Sequence, residues 1–324
     1  MNPVQNQGGI VKKRVALLFP GQGAQYVGMG KDIYEAYPEA RELMDRSSEI
    51  LELDIRKVCF EGPTEKLQKT RFAQPAIFVV SMACLEVLKK RVFDESFDVV
   101  AGAGLSLGEA TALVAAGAVD LEEGLQFVRQ RGLYMDEASE ERPGTMAAVL
   151  GMEPEKIEAV LEGTGAQVAN LNGPGQVVIS GPHPAVEKAI AACQAAGARR
   201  AVALDVSGAF HSSCMDPATE RIRRILGDMK IKKPDFPVYS NLTAKGEADP
   251  EEIRGILADQ MNHRTLWEDS MRRMISGGVD TFYEIGPGRV LRGLMRKIDP
   301  TQTVRNAGTH DEIAALVKEV SHVA

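Results

Sequence analysis

Residues 102–109 read Gly-Ala-Gly-Leu-Ser-Leu-Gly-Glu, and this stretch decides the fold of the chain. The apolar, β-branched run before it, residues 97–102, predicts a buried strand. The alanine-rich run after it, residues 108–117, predicts a helix. The serine between them therefore stands on a sharp strand-to-helix turn. Its flanking glycines are expected because Cβ atoms there would block close packing of helix on strand.

Ser106 is the candidate nucleophile of this turn, and the G-x-S-x-G pattern points to acyl transfer. The pattern alone is weak evidence. With 31 glycines among 324 residues, it arises by chance about 0.13 times per chain of this composition. The strand–turn–helix context raises its value. The alternative is a glycine-rich turn that closes a β-α unit and has no chemical role.

Length and composition are those of an ordinary globular enzyme, with room for one large and one smaller domain. A net charge of −7 and the lack of a dominant basic stripe argue against nucleic-acid binding. Four widely spaced cysteines predict free thiols in a cytoplasmic protein and no metal cluster. We expect no apolar run of membrane-spanning length and no signal peptide.

Strands and helices alternate along most of the chain. Predicted strands lie near residues 15–19, 97–102, 237–240 and 280–285, and predicted helices near 32–50, 75–91, 108–117, 121–138, 250–260 and 265–277. This alternation predicts a large, hydrolase-like α/β domain with a parallel sheet, spanning residues 14–142 and 207–324. Residues 1–13 are expected to form a flexible tail.

Residues 143–206 carry a different pattern. Strands near 145–151, 166–171, 176–181 and 199–206 combine with helices near 153–163 and 183–196. The order β-α-β-β-α-β is that of a ferredoxin-like unit. We therefore predict a small ferredoxin-like domain inserted into the large one.

A serine nucleophile needs a base, and His211 is the best placed of the five histidines. It lies on a loop where the chain returns from the small domain to the large one, a position that favours a cleft. A neutral imidazole there could take the serine proton. Position alone does not separate this from a capping or exposed histidine.

Acyl transfer also needs two N–H groups for the oxyanion. Leu107 follows the nucleophile at a helix N-terminus, where the helix dipole favours negative charge. The Gly21-Gln22-Gly23 turn after the first strand is the natural source of the second donor. The alternative for these residues is a simple β-α turn with no catalytic role.

Arg131 is the most unusual charge in the chain. It shares a helix face with Gly124, Val128 and Met135, which are apolar or small. A guanidinium on such a face needs an anion or several acceptors, because unpaired burial is costly. Two interpretations stay open: a structural salt bridge, for example with Glu109, or a fork that binds a substrate carboxylate.

Taken together, these segments resemble malonyl-CoA:acyl carrier protein transacylases and the acyltransferase domains of fatty acid and polyketide synthases. The matching segments follow the family's order over residues 14–300. They are residues 19–25, 104–109, 131–132, 172–176, 208–212 and 284–288, with Asn241 and Gln260. Several motifs in register are far more specific than any one of them.

The resemblance implies roles for the candidate catalytic residues. Ser106 would be the acylated nucleophile and His211 the general base. The backbone carbonyl of Gln260, rather than an Asp, would orient the imidazole. Gln22 and Leu107 would donate the oxyanion N–H groups.

The resemblance also implies an acyl pocket. Arg131 would hold the free carboxylate of malonyl, while Met135, Asn172, Phe210 and Val290 would line the pocket. Phe210 resembles the bulky residue of malonyl-selective members and should crowd an α-methyl group. A pocket wall discriminates one methyl by only about 1–3 kcal/mol, so this favours malonyl without excluding methylmalonyl.

One position departs from the family. Leu105 stands where the family usually has His, behind the nucleophile, which puts the rate and acyl range in question without removing a catalytic group.

The implied reaction is ping-pong transfer of malonyl from malonyl-CoA, through a seryl ester, to the phosphopantetheine thiol of acyl carrier protein for fatty acid synthesis. No metal or redox cofactor, nucleic acid or membrane is implied, and a monomer is expected. Alternatives are a trans-acting acyltransferase of a polyketide synthase, a hydrolase that edits acyl carrier proteins, and a non-catalytic carrier-binding module.

Carrier proteins are acidic, so docking needs a local basic patch. Candidates are Arg199, Arg200, Arg221, Arg223 and Arg224. A solvated helix face is at least as good an explanation for any one of them.

Overall fold

The computed structural model describes residues 12–321. Its large unit is built on a six-stranded sheet of order β10-β9-β1-β2-β7-β8. These strands are β1 (Lys13–Phe19), β2 (Phe97–Gly104), β7 (Val238–Tyr239), β8 (Gly246–Glu247), β9 (Thr281–Ile285) and β10 (Val304–Ala307). All neighbours pair in parallel except β7 and β8. The predicted parallel sheet of the large domain is confirmed.

Helices cover both faces of this sheet. They are α1 (Lys31–Ala36), α2 (Pro38–Ile50), α3 (Ile55–Glu61), α4 (Thr64–Gln68), α5 (Thr70–Arg91), α6 (Leu107–Ala115), α7 (Leu121–Glu141), α10 (Asp216–Asp228), α11 (Pro250–Asp259), α12 (Trp267–Ser276), α13 (Val290–Ile298) and α14 (His310–Ser321). In β1, Val15 and Leu17 belong to the core formed with α5, α6 and α7, whereas Ala16 and Leu18 belong to the core formed with α12 and α13. A strand buried on both faces is apolar throughout, which is why β1 was recognisable from sequence.

The small unit has its own sheet and core. It contains β3 (Gly144–Leu150), α8 (Pro154–Leu161), β4 (Gln167–Gly173), β5 (Gln176–Pro182), α9 (His183–Ala195) and β6 (Arg200–Ala203). Its antiparallel sheet has the order β4-β5-β3-β6. This is the ferredoxin-like arrangement, as predicted.

The domain limits at residues 142/143 and 206/207 stay predictions. The predicted tail falls mostly outside the described residues, and Lys13, its last residue, already belongs to β1.

Helix α5 corrects one prediction. The sequence was expected to contain no apolar run of membrane-spanning length. By length and composition alone, α5 is such a run. In this fold, 83% of its most apolar window is buried. Its composition is therefore that of a core helix packed against α7 and α2.

Several boundaries differ from the predictions for local reasons. The helix expected near residues 32–50 is two helices, because Tyr37 is extended before Pro38. Helix α5 begins at Thr70 rather than near 75, because the Asp136 carboxylate accepts the backbone N–H groups of Thr70 and Arg71. The last strand of the small unit is shorter than expected. Elements α3, α4, α13, α14, β8 and β10 were not predicted.

The sheet topology places the site. Strands β1 and β2 are parallel neighbours, so their carboxyl ends share one edge of the sheet. Gln22 follows β1 and Ser106 follows β2 at that edge. The chain returns to it from the small unit at His211.

Candidate active site

Ser106 stands on a strained turn between β2 and α6. Its φ of 55° and ψ of −102° lie in a region that L residues rarely adopt. A Cβ on Gly104 would lie 1.9 Å from the carbonyl carbon of Gly108, and a Cβ on Gly108 would lie 2.1 Å from the oxygen of Phe19. Asn241 holds the turn, since its Oδ1 accepts the Ser106 N–H (2.7 Å) and its Nδ2 donates to the Gly104 oxygen (2.7 Å).

His211 pairs with the serine. Its Nε2 lies 2.9 Å from Ser106 Oγ, while its Nδ1 faces two carbonyl oxygens, those of Gln260 (3.0 Å) and His263 (3.1 Å). Two acceptors at Nδ1 assign the ring hydrogen to that nitrogen, so Nε2 is free to accept the serine proton. Burial, aided by the charge of Arg131, lowers the His211 pKa to about 4. The imidazole is therefore a neutral base at physiological pH.

Arg131 reaches the nucleophile from α7. Its side chain is buried, with Nη2 3.1 Å from Ser106 Oγ. Nη1 donates to Gln74 Oε1 and Nη2 to Gln260 Oε1, both at 2.8 Å. Within residues 12–321, no carboxylate oxygen lies within 4.0 Å of this guanidinium, so the salt bridge considered with Glu109 does not form. Burial lowers the Arg131 pKa to about 10, which leaves the group cationic at neutral pH.

Gln260 connects the cation to a buried carboxylate. Its Nε2 donates to Glu109 Oε2 (2.5 Å) and to the Ser106 backbone oxygen (3.0 Å). Glu109 also accepts the Asn241 N–H at 3.1 Å. Burial raises the pKa of Glu109 to about 7. Because Nε2 is held by these two acceptors, the Gln260 amide oxygen must face Arg131.

Two backbone amides near the serine are left for a ligand. In the part of the chain that the structure describes, neither the Gln22 nor the Leu107 N–H donates to another protein group. Leu107 is the first residue of α6, where the helix dipole adds to its partial positive charge. The Gln22 side chain, in contrast, is tethered through Nε2 to Thr70 Oγ1 at 3.2 Å.

One cavity of about 580 Å³ brings the predicted residues together. It is lined by Gln22, Ser106, Leu107, Arg131, Met135, Asn172, Phe210, His211 and Val290. Gln260 does not line this cavity and lies behind the histidine and the arginine. Every predicted site residue thus lines the cavity, except Gln260, which forms hydrogen bonds with the lining residues Arg131 and His211.

Sequence reasoning missed Gln74 and gave Asn241 no role. Gln74 also lines the cavity, and its amide bonds both Arg131 and the Met135 sulfur (3.1 Å). The run after it is so apolar that only a core helix was predicted there. Asn241 was visible as part of the resemblance, but its contacts with the turn span more than 130 positions.

Leu105 is accommodated by packing. It lines the cavity and joins the core that contains Trp267 and Met271. Its backbone N–H donates to the Phe19 oxygen at 3.1 Å. An apolar side chain at this position therefore completes the core behind the nucleophile.

Comparisons with known proteins place the chain in a family. The acyl transferase domain family matches residues 16–306. The malonyl CoA-acyl carrier protein transacylase of Bacillus subtilis (strain 168) is 44% identical over 291 residues, which is 88% of this chain and 90% of that protein. A polyketide biosynthesis malonyl CoA-acyl carrier protein transacylase of the same organism is 41% identical over 288 residues, 88% of this chain and 96% of that protein.

A solved structure shares the fold over most of both chains. A malonyl-transacylase in complex with its type II PKS acyl-carrier protein matches with a TM-score of 0.91 and 34% identity, over 95% of this chain and 100% of that chain. The chain therefore belongs to the acyl transferase family, among the malonyl CoA-acyl carrier protein transacylases.

Proposed function

We propose that this enzyme transfers malonyl from malonyl-CoA to the phosphopantetheine thiol of acyl carrier protein, through a malonyl ester on Ser106. The observation that carries the proposal is the buried Arg131 guanidinium, 3.1 Å from Ser106 Oγ and held only by neutral amide and hydroxyl oxygens among residues 12–321. A carboxylate is the natural bidentate partner of such a fork. Malonyl carries one at the far end of a short acyl chain.

The first half-reaction forms the ester. His211 Nε2 takes the proton of Ser106 as the hydroxyl oxygen attacks the thioester carbon. The negative charge that develops on the carbonyl oxygen is bound by the Gln22 and Leu107 N–H groups. The imidazolium is stabilised by the Gln260 and His263 carbonyls at Nδ1. It then protonates coenzyme A as the carbon–sulfur bond breaks.

The second half-reaction reverses these steps with a different thiol. His211 takes the proton of the phosphopantetheine thiol, sulfur attacks the ester carbon, and Ser106 leaves with the proton returned. Water must not compete with the thiol, and a serine beneath a cavity between the sheet edge and the small unit is partly shielded from it. Met135 and Phe210, both buried, line the acyl pocket. Phe210 should crowd an α-methyl group and so favour malonyl over methylmalonyl.

Carrier docking is best supported at Arg199, Arg200 and Arg224, which are exposed and form no ion pair within residues 12–321. Arg221 and Arg223 form ion pairs with Glu137 and Asp259, so their charge is already partly neutralised. Replacing Arg200 with Glu should slow transfer to the carrier and leave Ser106 acylation unchanged. Equal effects on both half-reactions would place docking elsewhere.

The pathway has two candidates. Fatty acid synthesis is the first, and service to a polyketide synthase is the second. Polyketide service stays a candidate because two similar proteins come from polyketide systems: the relative at 41% identity and the transacylase in the carrier-protein complex. A cytoplasmic location and a monomeric state complete the proposal. The four cysteines are free and buried, in keeping with that location.

Intact-mass measurement tests the reaction. The protein mixed with malonyl-CoA should gain one malonyl group, Ser106→Ala should gain none, and addition of the phosphopantetheinylated carrier should move the group to the carrier. Release of free malonate without transfer would instead indicate a hydrolase. Absence of any adduct would leave a carrier-binding module and refute the proposal.

A further inference from the structure

The hydroxyl of Thr70 lies in a polar junction beside the site. Thr70 is the first residue of α5 and is fully buried. Its Oγ1 accepts a hydrogen bond from Gln22 Nε2 at 3.2 Å and shares another with Ser207 Oγ at 3.0 Å. One buried hydroxyl therefore joins the loop after β1 to the segment that returns from the small unit.

Thr70 is itself rigidly held on α7. The Asp136 carboxylate accepts the Thr70 N–H at 3.1 Å, the Arg71 N–H at 3.2 Å and the Arg71 Nε–H at 2.7 Å. Gly132 allows the backbones to approach, since a Cβ there would lie 2.8 Å from the Thr70 oxygen. Helix α7 also carries Arg131. Thr70, on α5, is therefore fixed by hydrogen bonds and close packing to the helix that carries the guanidinium.

The Gln22 loop needs such an anchor. Gln22 stands between two glycines, so its peptide units are less restricted than those of other residues. Its N–H has no protein acceptor within residues 12–321. The turn is closed by the Ala24 N–H on the Gly21 oxygen (3.4 Å) and the Gly23 N–H on Gln25 Oε1 (2.7 Å), and the bond to Thr70 holds the Gln22 side chain. A donor displaced by even a fraction of an ångström loses much of its effect on a developing oxyanion.

We infer that Thr70 is a positioning residue of the oxyanion site. It holds the Gln22 side chain so that the Gln22 N–H faces the carbonyl oxygen of the thioester, and through Ser207 it ties this loop to the returning segment. This inference rests on the proposed function. It concerns a step that malonyl and acetyl thioesters share, because the oxyanion is the same for both.

Thr70→Val tests the hydroxyl with little change of shape. Single-turnover acylation of Ser106 should slow by about 10-fold with both malonyl-CoA and acetyl-CoA, less than the 10²–10³ lost when an oxyanion donor is removed outright. The half-saturating malonyl-CoA concentration should not change. Thr70→Ser, which keeps the hydroxyl, should restore the rate. Thr219→Val is the matched control, because Thr219 is buried on α10 and its hydroxyl has no partner among the described residues.

Gln22→Met breaks the same tether from its other end and covers the case in which Thr70→Val does not fold. It should slow both acylations by the same factor, and the double variant should be no slower than either single one. A wild-type rate in Thr70→Val, a loss confined to malonyl-CoA, or a failure of Thr70→Ser to restore the rate would each overturn the inference. If the proposed function itself were wrong, wild type and Thr219→Val would also form no adduct.

Discussion

Replacement of Arg131 by Ala should separate malonyl from acetyl transfer. In the free enzyme, the two ends of the guanidinium fork donate to the Gln74 and Gln260 amide oxygens. In the proposed complex, the malonyl carboxylate takes both ends. Acetyl has no carboxylate and leaves these bonds as they are.

The structure allows the size of the effect to be worked out. A bond between the guanidinium and a carboxylate, in which both partners are charged, is worth about 3 kcal/mol, whereas a bond from the guanidinium to a neutral amide oxygen is worth about 1.5–2 kcal/mol. Two exchanges give a net gain of about 2–3 kcal/mol. At about 1.4 kcal/mol per tenfold, the loss in kcat/KM for malonyl-CoA is about 30- to 150-fold. The unpaired carboxylate left in a buried site can only add to it.

The assay compares kcat/KM for the two thioesters, followed by release of coenzyme A with excess thiol acceptor. Acetyl transfer in Arg131→Ala should stay within about threefold of the wild-type value, since the bonds that are lost, to Gln74, Gln260 and Ser106 Oγ, do not hold the acetyl group itself. Arg129→Ala, two positions away on the same helix and outside the cavity, should behave as wild type for both thioesters. Equal losses for malonyl and acetyl would refute the clamp.

Four further outcomes follow, two from the site geometry and two from the packing around single glycines. His211→Ala should slow acylation by about 10²–10⁴-fold, the usual contribution of a general base, and an unchanged stopped-flow rate would remove it from the mechanism. In the wild type, the lowered pKa keeps the imidazole neutral down to a pH of about 4, so acylation should lose rate only as pH falls toward that value; a midpoint near 6.5 would contradict the buried environment. Gly108→Ala should destabilise the fold by several kcal/mol in urea unfolding, of the order of 3 or more, because its Cβ would meet the Phe19 oxygen. Gly255→Ala, in α11 with open space around it, should instead stabilise by about 0.5–1 kcal/mol.

Glycine spacing and apolar periodicity predicted those features of the fold that depend on residues close together in sequence. The turn at Ser106 and the buried strands were predictable because glycine spacing and apolar runs act within a few residues. The ferredoxin-like order was predictable for the same reason, since each element carries its own periodicity. The pairing of Ser106 with His211 spans 105 positions, so the residues alone suggested the base without establishing it.

The anchoring contacts were beyond prediction because they depend on where helices begin and how they pack. Thr70 was expected to lie outside α5, since nothing in its neighbourhood signals that an aspartate 66 positions later caps the helix. Gln74 was hidden in an apolar run that core packing already explained. Thr70 and Gln74 form these contacts only when α5 packs against α7 in the folded protein.

The groups around the buried Arg131 guanidinium leave it able to bind a substrate carboxylate. A carboxylate in direct contact with Arg131 would stabilise the free enzyme by several kcal/mol, about 4 at 4 Å for an effective dielectric constant of 20, and malonyl would have to displace it. Here Glu109 lies one residue away, joined through the Gln260 amide. Glu109, whose pKa is raised to about 7, offsets part of the cost of burying the guanidinium when it is ionised, while the groups in contact with the fork are neutral and exchange at low cost. A cation held this way discriminates between acyl groups by the one feature, a free carboxylate, that its neutral partners cannot supply.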